Sequence, residues 1–171
     1  MLVHTFGCGL YKMEGLMTNQ PSVRHVKSFD GEVCAVPLRI SHYWIQTLFS
    51  AHALATYDIS DLAHIREVSR VTFDEKQTPH WIATDEGGRR IVLNSGEYGD
   101  HRLFIVSFDP QTGALTLDGR FRDAGSERAG CEHGWQVLAA RISGGCLSAR
   151  GSVFRVLLLR YGTPRQQTRL P

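Results

Sequence analysis

One sequence pattern recurs in this chain roughly every 45 to 50 residues. Three segments align with one another, Leu10–Phe29, Leu54–Phe73 and Leu103–Arg122, and their starts are separated by 44 and then 49 positions. Each segment has the pattern of an apolar strand, a turn of about five polar residues and a second strand. A period of this length in short strands is typical of repeat architectures such as propellers.

Two further strands precede each of the last two segments. Strands are predicted near His80–Thr84 and Arg90–Ser95, joined by a tight turn in which Gly87 and Gly88 supply positive φ. The corresponding strands before the second segment are Val33–Pro37 and His42–Leu48. One complete repeat is therefore four consecutive antiparallel strands, which is the content of one propeller blade.

The predicted fold class is all-β, with about two and a half blades of an incomplete propeller. Residues 1–130 form the partial propeller, with blades near 1–29, 33–73 and 80–122. A jelly roll or β-sandwich is the alternative, but neither predicts the recurrence. Because closed propellers have roughly 4–8 blades, we interpret the chain as a fragment whose blade faces are exposed.

The last 41 residues differ from residues 1–130 in composition. Residues 1–130 hold 13 Lys and Arg against 16 Asp and Glu, whereas residues 131–171 hold six Arg and a single acid, Glu132. Residues 131–171 also lack the regularly spaced turn sequences that separate the predicted strands of residues 1–130. We interpret them as an atypical Arg-rich tail that arose by truncation or frame shift of a longer gene. The basic pI of the whole chain, near 8.4, results from the arginines of this tail. It therefore does not indicate nucleic-acid binding, which requires a basic face on a folded unit.

The repeats resemble the blades of the selenium-binding protein family, which includes the methanethiol oxidases. HYWIQTLFSAHALATYDISDLAHIREVSRVTF is similar to one blade of that family, although Leu62 stands where its hairpin motif has Pro. RRIVLNS followed by LFIVSFDPQTGALTLDGRFRDAG is similar to a later blade, and PHWIATDEGGRRIVLNS also resembles the broader YVTN and lactonase-like propellers. The resemblance covers roughly residues 30–130.

The resemblance implies a seven-bladed propeller in a longer parent protein. It implies either a ligand-binding scaffold, inactive in this chain alone, or a copper-dependent oxidase of small thiols in the parent. A third hypothesis for the function is a scaffold that binds other proteins. No cofactor is expected in this chain, whereas copper is implied for the parent, and the expected partner is a small molecule or a protein on the loop-rich face.

Three histidines are the candidate metal ligands. His80 opens an innermost strand at the channel mouth, and His52 and His101 occupy equivalent positions in successive repeats. Imidazole suits copper or zinc. The alternatives are that His80 is a hydrogen-bonded structural residue and that His52 and His101 cap loops. All three histidines are predicted to lie at the end of the blades that carries the long loops, which are Asp74–Pro79, Phe49–His52 and Gly96–His101. Binding residues are common on long loops that a rigid scaffold holds in place, so the functional site is expected at this end.

No residue is assigned a catalytic or cofactor-binding role. Glu97, Asp100 and His101 form an acid–acid–His cluster in one loop, and we favour its reading as a solvated polar loop. The sequence has no GxSxG, HExxH, P-loop or GxGxxG motif, so hydrolase, zincin and nucleotide-binding readings lack support.

The four cysteines lack a CxxC pair and zinc-type spacing, and we interpret them as reduced, buried thiols. Together with the absence of a signal peptide, this favours a cytoplasmic location. No membrane span is expected, because the longest late apolar run, Val156–Leu159, is far too short.

Overall fold

The structure is a computed structural model of the chain that describes residues 1–95 and 102–132. These residues form eleven β-strands, and no α-helix occurs within the described ranges. The strands are β1 (Leu2–His4), β2 (Gly9–Glu14), β3 (Ser22–Ser28), β4 (Cys34–Ile40), β5 (Tyr43–Leu48), β6 (Ala53–Asp58), β7 (Arg66–Thr72), β8 (Pro79–Thr84), β9 (Arg90–Ser95), β10 (Leu103–Phe108) and β11 (Leu115–Leu117).

The strands form three separate antiparallel sheets, each built from consecutive strands. Sheet 1 has the order β1-β2-β3, sheet 2 the order β4-β5-β6-β7, and sheet 3 the order β8-β9-β10-β11. Up-and-down sheets of four short strands, repeated along the chain, are the blades of a propeller. The predicted all-β fold with four-stranded antiparallel blades is confirmed.

Sheet 2 lies between the other two sheets and is covered on both faces. Every residue of β5 is buried. Because successive side chains of a strand point to opposite faces, Trp44 and Leu48 pack in the core with sheet 1, while Tyr43 and Ile45 pack in the core with sheet 3. Tyr43 and Trp44 therefore stabilise the contacts between blades.

In sheet 3, strands β8 and β9 are covered by another sheet on one face only. The sequence Ile91-Val92-Leu93 is continuously apolar, which favours burial on both faces of the strand. In the structure Ile91 and Leu93 are buried, with Ile91 in the core shared with sheet 2, whereas Val92 is half-exposed. The reason is that β9 has a packed sheet on one side and none among the described residues on the other.

A disulfide joins sheet 1 to sheet 2, so the prediction of reduced thiols is wrong. Cys8 precedes β2, Cys34 begins β4, and their Cα atoms are 4.9 Å apart. Both residues are almost completely buried, and none of the described cysteines is a free thiol. The backbone NH of Cys34 also donates to the carbonyl of Phe6 at 2.9 Å. Sequence spacing did not reveal the pair, because it depends on how two sheets pack.

The connections lie at two opposite ends of the strands. One end, which we call the loop face, carries residues 5–8, 29–33, 49–52 and 73–78. The other end carries residues 15–21, 41–42, 59–65, 85–89 and 109–114. We expected Phe49–His52 to be one of the long loops, but it has only four residues and is shorter than the 59–65 turn. Length alone therefore does not identify the functional end.

Residues after β11 fold back onto sheet 3. Phe121 and Cys131 pack against Ile105, and Cys131 forms an isolated antiparallel bridge with Leu103. The proposed tail begins at residue 131, and residues 133–171 lie outside the described residues. Within residues 1–95 and 102–132, no helix is long and apolar enough to cross a membrane.

Candidate functional site

His80 lies in a β-bulge at the point where β8 leaves the loop face. Pro79 is opposite Ser95 and Trp81 is opposite Asn94, so His80 is the extra residue in its strand. The backbone NH of Trp81 is satisfied by the side-chain oxygen of Asn94 at 2.9 Å. A bulge releases one residue from the ladder and changes the direction of its side chain, and bulges are common beside functional sites.

The imidazole of His80 is half-buried among aromatic rings. The ring of Phe49, from the β5–β6 turn, is 6.0 Å away and nearly perpendicular, and the ring of Trp81 is 5.1 Å away. The Nδ1 atom is shielded from solvent, and neither ring nitrogen has a hydrogen-bond partner among the described residues. This geometry does not match the alternative of a hydrogen-bonded structural histidine.

His52 has a different environment, although it lies in the same region. Its Nδ1 is 2.8 Å from the backbone carbonyl of Gln77, so this nitrogen donates and carries the proton. The carbonyl of His52 in turn accepts from the NH of Phe73 at 2.8 Å. His52 has a φ of 51°, a left-handed backbone conformation that is uncommon for residues other than glycine. It fastens the 49–52 turn to the connection between sheets 2 and 3.

Gln77 is a buried polar residue that the sequence did not reveal. Its side chain is 2% exposed, and neither its amide nitrogen nor its amide oxygen has a hydrogen-bond partner in the described structure. A buried amide without partners costs about 1–3 kcal/mol, so such groups are unusual in native folds. No local motif marks Gln77, because its burial results from the packing of one blade connection under the next turn.

We call the region formed by Phe49, His52, Gln77 and His80 the blade seam. It lies on the loop face, where the β5–β6 turn of sheet 2 meets the connection that enters sheet 3. Unpartnered polar atoms are concentrated here, since Gln77 and His80 contribute three of the five buried side-chain atoms without a partner among the described residues. The seam therefore combines hydrogen-bonding capacity with apolar walls.

Beside the seam is a recess with a volume of about 200 Å³. Its lining includes Phe73, Gln77, Phe104 and two arginines, Arg102 and Arg128. Both arginines are paired: the Arg102 guanidinium contacts Glu132 at 3.0 Å, and the Arg128 guanidinium contacts Asp74 at 2.9 Å. Because the positive charges are neutralised, the recess does not carry a free cationic group for an anion.

The described residues do not bring the predicted metal ligands into one cluster. No group of three or more His, Cys, Asp or Glu side chains in residues 1–95 and 102–132 is arranged to hold a metal ion. His52 and His80 both lie in the blade seam. His101, with its neighbours Glu97 and Asp100, lies outside the described residues, so its predicted role stays a prediction.

Comparison with solved structures identifies the fold. The crystal structure of a protein from Lactobacillus plantarum matches with a TM-score of 0.55 and 15% identity, over 66% of this chain and 35% of that chain. The X-ray structure of a hypothetical selenium-binding protein from Sulfolobus tokodaii matches with a TM-score of 0.48 and 13% identity, over 64% of this chain and 33% of that chain. The chain spans about a third of the length of these structures.

No protein-family model matches the sequence, and no curated protein matches it either. The described residues form part of a β-propeller, as predicted from the repeats of the sequence.

Proposed function

We propose that this chain is a ligand-binding propeller scaffold and that its ligand contacts His80 at the blade seam. The observation that supports this is the ring of His80, which is held in a bulge on the loop face with both nitrogens unpartnered. A polar group that a fold orients but does not satisfy is a common feature of binding sites, because the ligand supplies the missing partner.

The surroundings of His80 define the class of ligand. Phe49 and Trp81 provide aromatic walls, and the imidazole provides one donor and one acceptor when it is neutral. Small molecules that combine an apolar part with one hydrogen-bonding group fit this environment. The paired arginines of the adjacent recess argue against a strongly anionic ligand.

A screen of small neutral fragments, followed by NMR of the histidine side chains, tests this proposal. We expect bound fragments to shift the ring signals of His80 and to leave those of His64 unchanged. His64 is the matched control, because it is exposed in the 59–65 turn at the opposite end and pairs with Asp61 at 2.7 Å.

The same screen is then repeated on two variants. His80→Ala is expected to abolish fragment binding, and His64→Ala to leave it unchanged. If fragments bind equally well to the His80→Ala protein, or if they bind only at the opposite end of the strands, the blade seam is not the ligand site.

Copper-dependent oxidation of small thiols is a second candidate function, and the unpartnered nitrogens of His80 favour it. His52 uses Nδ1 to donate to Gln77, which leaves Nε2 as its metal-binding atom. These two imidazoles alone do not make a copper site, since such sites need three or more ligands and the described residues supply no such group.

Copper titration of the chain separates the two candidates. A scaffold is expected to bind Cu(II) weakly, with a loss of affinity in either His52→Ala or His80→Ala, and to show no catalysed oxidation of methanethiol. Measurable turnover of methanethiol by the copper-loaded chain would favour the oxidase instead. Fragment binding at His80 without copper, together with no turnover of methanethiol, would support the scaffold.

A further inference from the structure

The backbone of Gln77 is fixed at both of its polar atoms. Its NH donates to the carbonyl of Asp74 at 2.9 Å, and its carbonyl accepts from Nδ1 of His52 at 2.8 Å. The side chain is 2% exposed, and its amide has no hydrogen-bond partner among the described residues. Because a buried polar group without a partner is unfavourable, this amide gains free energy from any partner that it reaches.

Gln77 forms part of the wall of the recess beside the blade seam, which has a volume of about 200 Å³. An apolar cavity of about 150 Å³ is sufficient to bind benzene, so the recess has room for one six-membered ring with a small substituent. Phe73 and Phe104 form an aromatic wall, and their ring centroids are 4.9 Å apart. The Phe104 ring also lies against Gly130, where a Cβ atom would be 2.6 Å from its Cε1 atom. These rings offer a surface to a flat ligand.

The charged groups that line the recess are paired. The Asp74 carboxylate contacts the guanidinium of Arg128 at 2.9 Å. The guanidinium of Arg102 contacts the Glu132 carboxylate at 3.0 Å. A charged ligand would lose its hydration and would have to compete with one of these ion pairs for a counter-ion. The recess therefore favours a neutral ligand.

We propose that the recess is a second binding site, which takes a flat neutral molecule with an NH group and a carbonyl side by side, such as an aromatic carboxamide or a lactam. The Gln77 amide offers a carbonyl acceptor and an NH donor on one edge, and these match the two groups of the ligand in two parallel hydrogen bonds. The ring of the ligand then packs on Phe73 and Phe104. The site is separate from the contact at His80, because His80 is not part of the lining of the recess.

The Gln77 amide turns toward the recess to reach this ligand, since both of its polar atoms are shielded from solvent in the structure. A side chain that leaves a buried position usually breaks hydrogen bonds, and their loss opposes the motion. The Gln77 amide breaks none with the described residues. The hydrogen bonds to the ligand are therefore a net gain, and the fixed backbone keeps the base of the side chain at the wall of the recess.

Titration of the full chain with benzamide, a flat neutral carboxamide, tests the proposal by NMR of the glutamine side-chain amides. We expect the signals of Gln77 to shift and those of Gln20 to stay unchanged, because Gln20 is exposed in the turn between β2 and β3. Methyl benzoate has the same ring and a carbonyl but no NH. It is expected to bind about tenfold more weakly than benzamide, because it leaves one atom of the Gln77 amide without a partner.

Gln77→Met separates binding from folding. Methionine is similar in length and has no amide, so the variant is expected to be at least as stable as the wild-type chain in denaturant unfolding. Its affinity for benzamide is expected to fall by about tenfold or more. Gln20→Met is the matched control and should change neither stability nor affinity. His80→Ala should leave the affinity for benzamide unchanged, which distinguishes the recess from the site of the proposed function.

Results of three kinds would overturn the proposal. Unshifted Gln77 signals, or equal binding of benzamide to the Gln77→Met protein, would mean that Gln77 does not contact the ligand. A Gln77→Met protein less stable than the Gln20→Met protein would mean that the Gln77 amide is already hydrogen-bonded in the folded chain. Loss of benzamide binding in His80→Ala would place the ligand at His80 instead of in the recess. The proposed function fails by a different result, the absence of any fragment that shifts the ring signals of His80.

Discussion

The ring of Tyr43 packs directly against the backbone of Gly113, in the turn between β10 and β11. A Cβ atom on Gly113 would lie 2.6 Å from the Cε1 atom of Tyr43, and the φ of Gly113 is 75°. The Tyr43 hydroxyl also donates to the carbonyl of Gln111 at 3.1 Å. One aromatic residue of sheet 2 thus fastens a turn of sheet 3, which requires glycine for two separate reasons.

Gly113→Ala is expected to destabilise the fold more than the same change at Gly125. Gly125 has the same φ of 75°, but nothing lies within 4 Å of the position its Cβ would take. Gly125→Ala therefore measures backbone strain alone, about 1–2 kcal/mol. The clash with Tyr43 adds about 1–3 kcal/mol at Gly113. Denaturant unfolding of the two variants measures both values, and equal losses would mean that Tyr43 does not pack on the turn.

The disulfide between Cys8 and Cys34 is expected to contribute about 3 kcal/mol to stability, because it closes a loop over a sequence separation of 26. Replacing both cysteines with alanine removes this constraint on the unfolded chain. Thermal unfolding compares the double variant with the wild-type chain under non-reducing conditions.

Sheet 1 should respond most to this change, since it is the sheet that the disulfide ties to sheet 2. Hydrogen exchange is expected to accelerate in β2 and β3 of the double variant and to change less in sheet 3. Uniform acceleration in all three sheets, or no acceleration at all, would contradict a role for the bond as a connection between two blades.

The stability of the chain should depend on pH through the Glu67–Arg70 pair. The guanidinium of Arg70 contacts the Glu67 carboxylate at 2.7 Å and lowers the pKa of that carboxyl below its ordinary value. A carboxyl whose pKa is lower when folded contributes stability above its unfolded pKa and loses it as pH falls through its folded pKa. We therefore expect the contribution to disappear in acid, below about pH 4.

Glu67→Gln tests this expectation. The free energy of unfolding should fall by at most about 1 kcal/mol at neutral pH, because the pair is partly solvated, and the variant and wild-type values should converge in acid. Glu127→Gln, at an exposed position, is the control and should change little at any pH. A difference that persists unchanged in acid would show that Glu67 acts through packing instead of charge.

Local patterns in the sequence were sufficient to predict the blades. Apolar strands and turns recur at separations of 44 and 49 residues, and each sheet is built from neighbours in the chain, so no long-range pairing had to be inferred. The burial of β5 on both faces is consistent with its apolar and aromatic sequence. Tyr43 and Trp44 point to opposite faces, and each packs on a different neighbouring sheet.

The seam and the disulfide could not be predicted in the same way. Gln77 is buried because one blade connection lies under the turn of another, and Cys8 meets Cys34 because two sheets stack. Both depend on contacts between repeats. Arg102, which is 5% exposed and pairs with Glu132, was missed for the same reason. His80 could be named because it opens a strand, but only the bulge at its position explains why its ring lacks a partner.

The most direct test of the central claim, that His80 binds a ligand at the blade seam, is a crystal structure of the chain soaked with the fragment that binds most tightly in the NMR screen. We expect the fragment to lie against Phe49 with a polar atom about 2.6–3.2 Å from a ring nitrogen of His80. A fragment bound elsewhere, with both nitrogens of His80 hydrogen-bonded to protein groups, would contradict the claim.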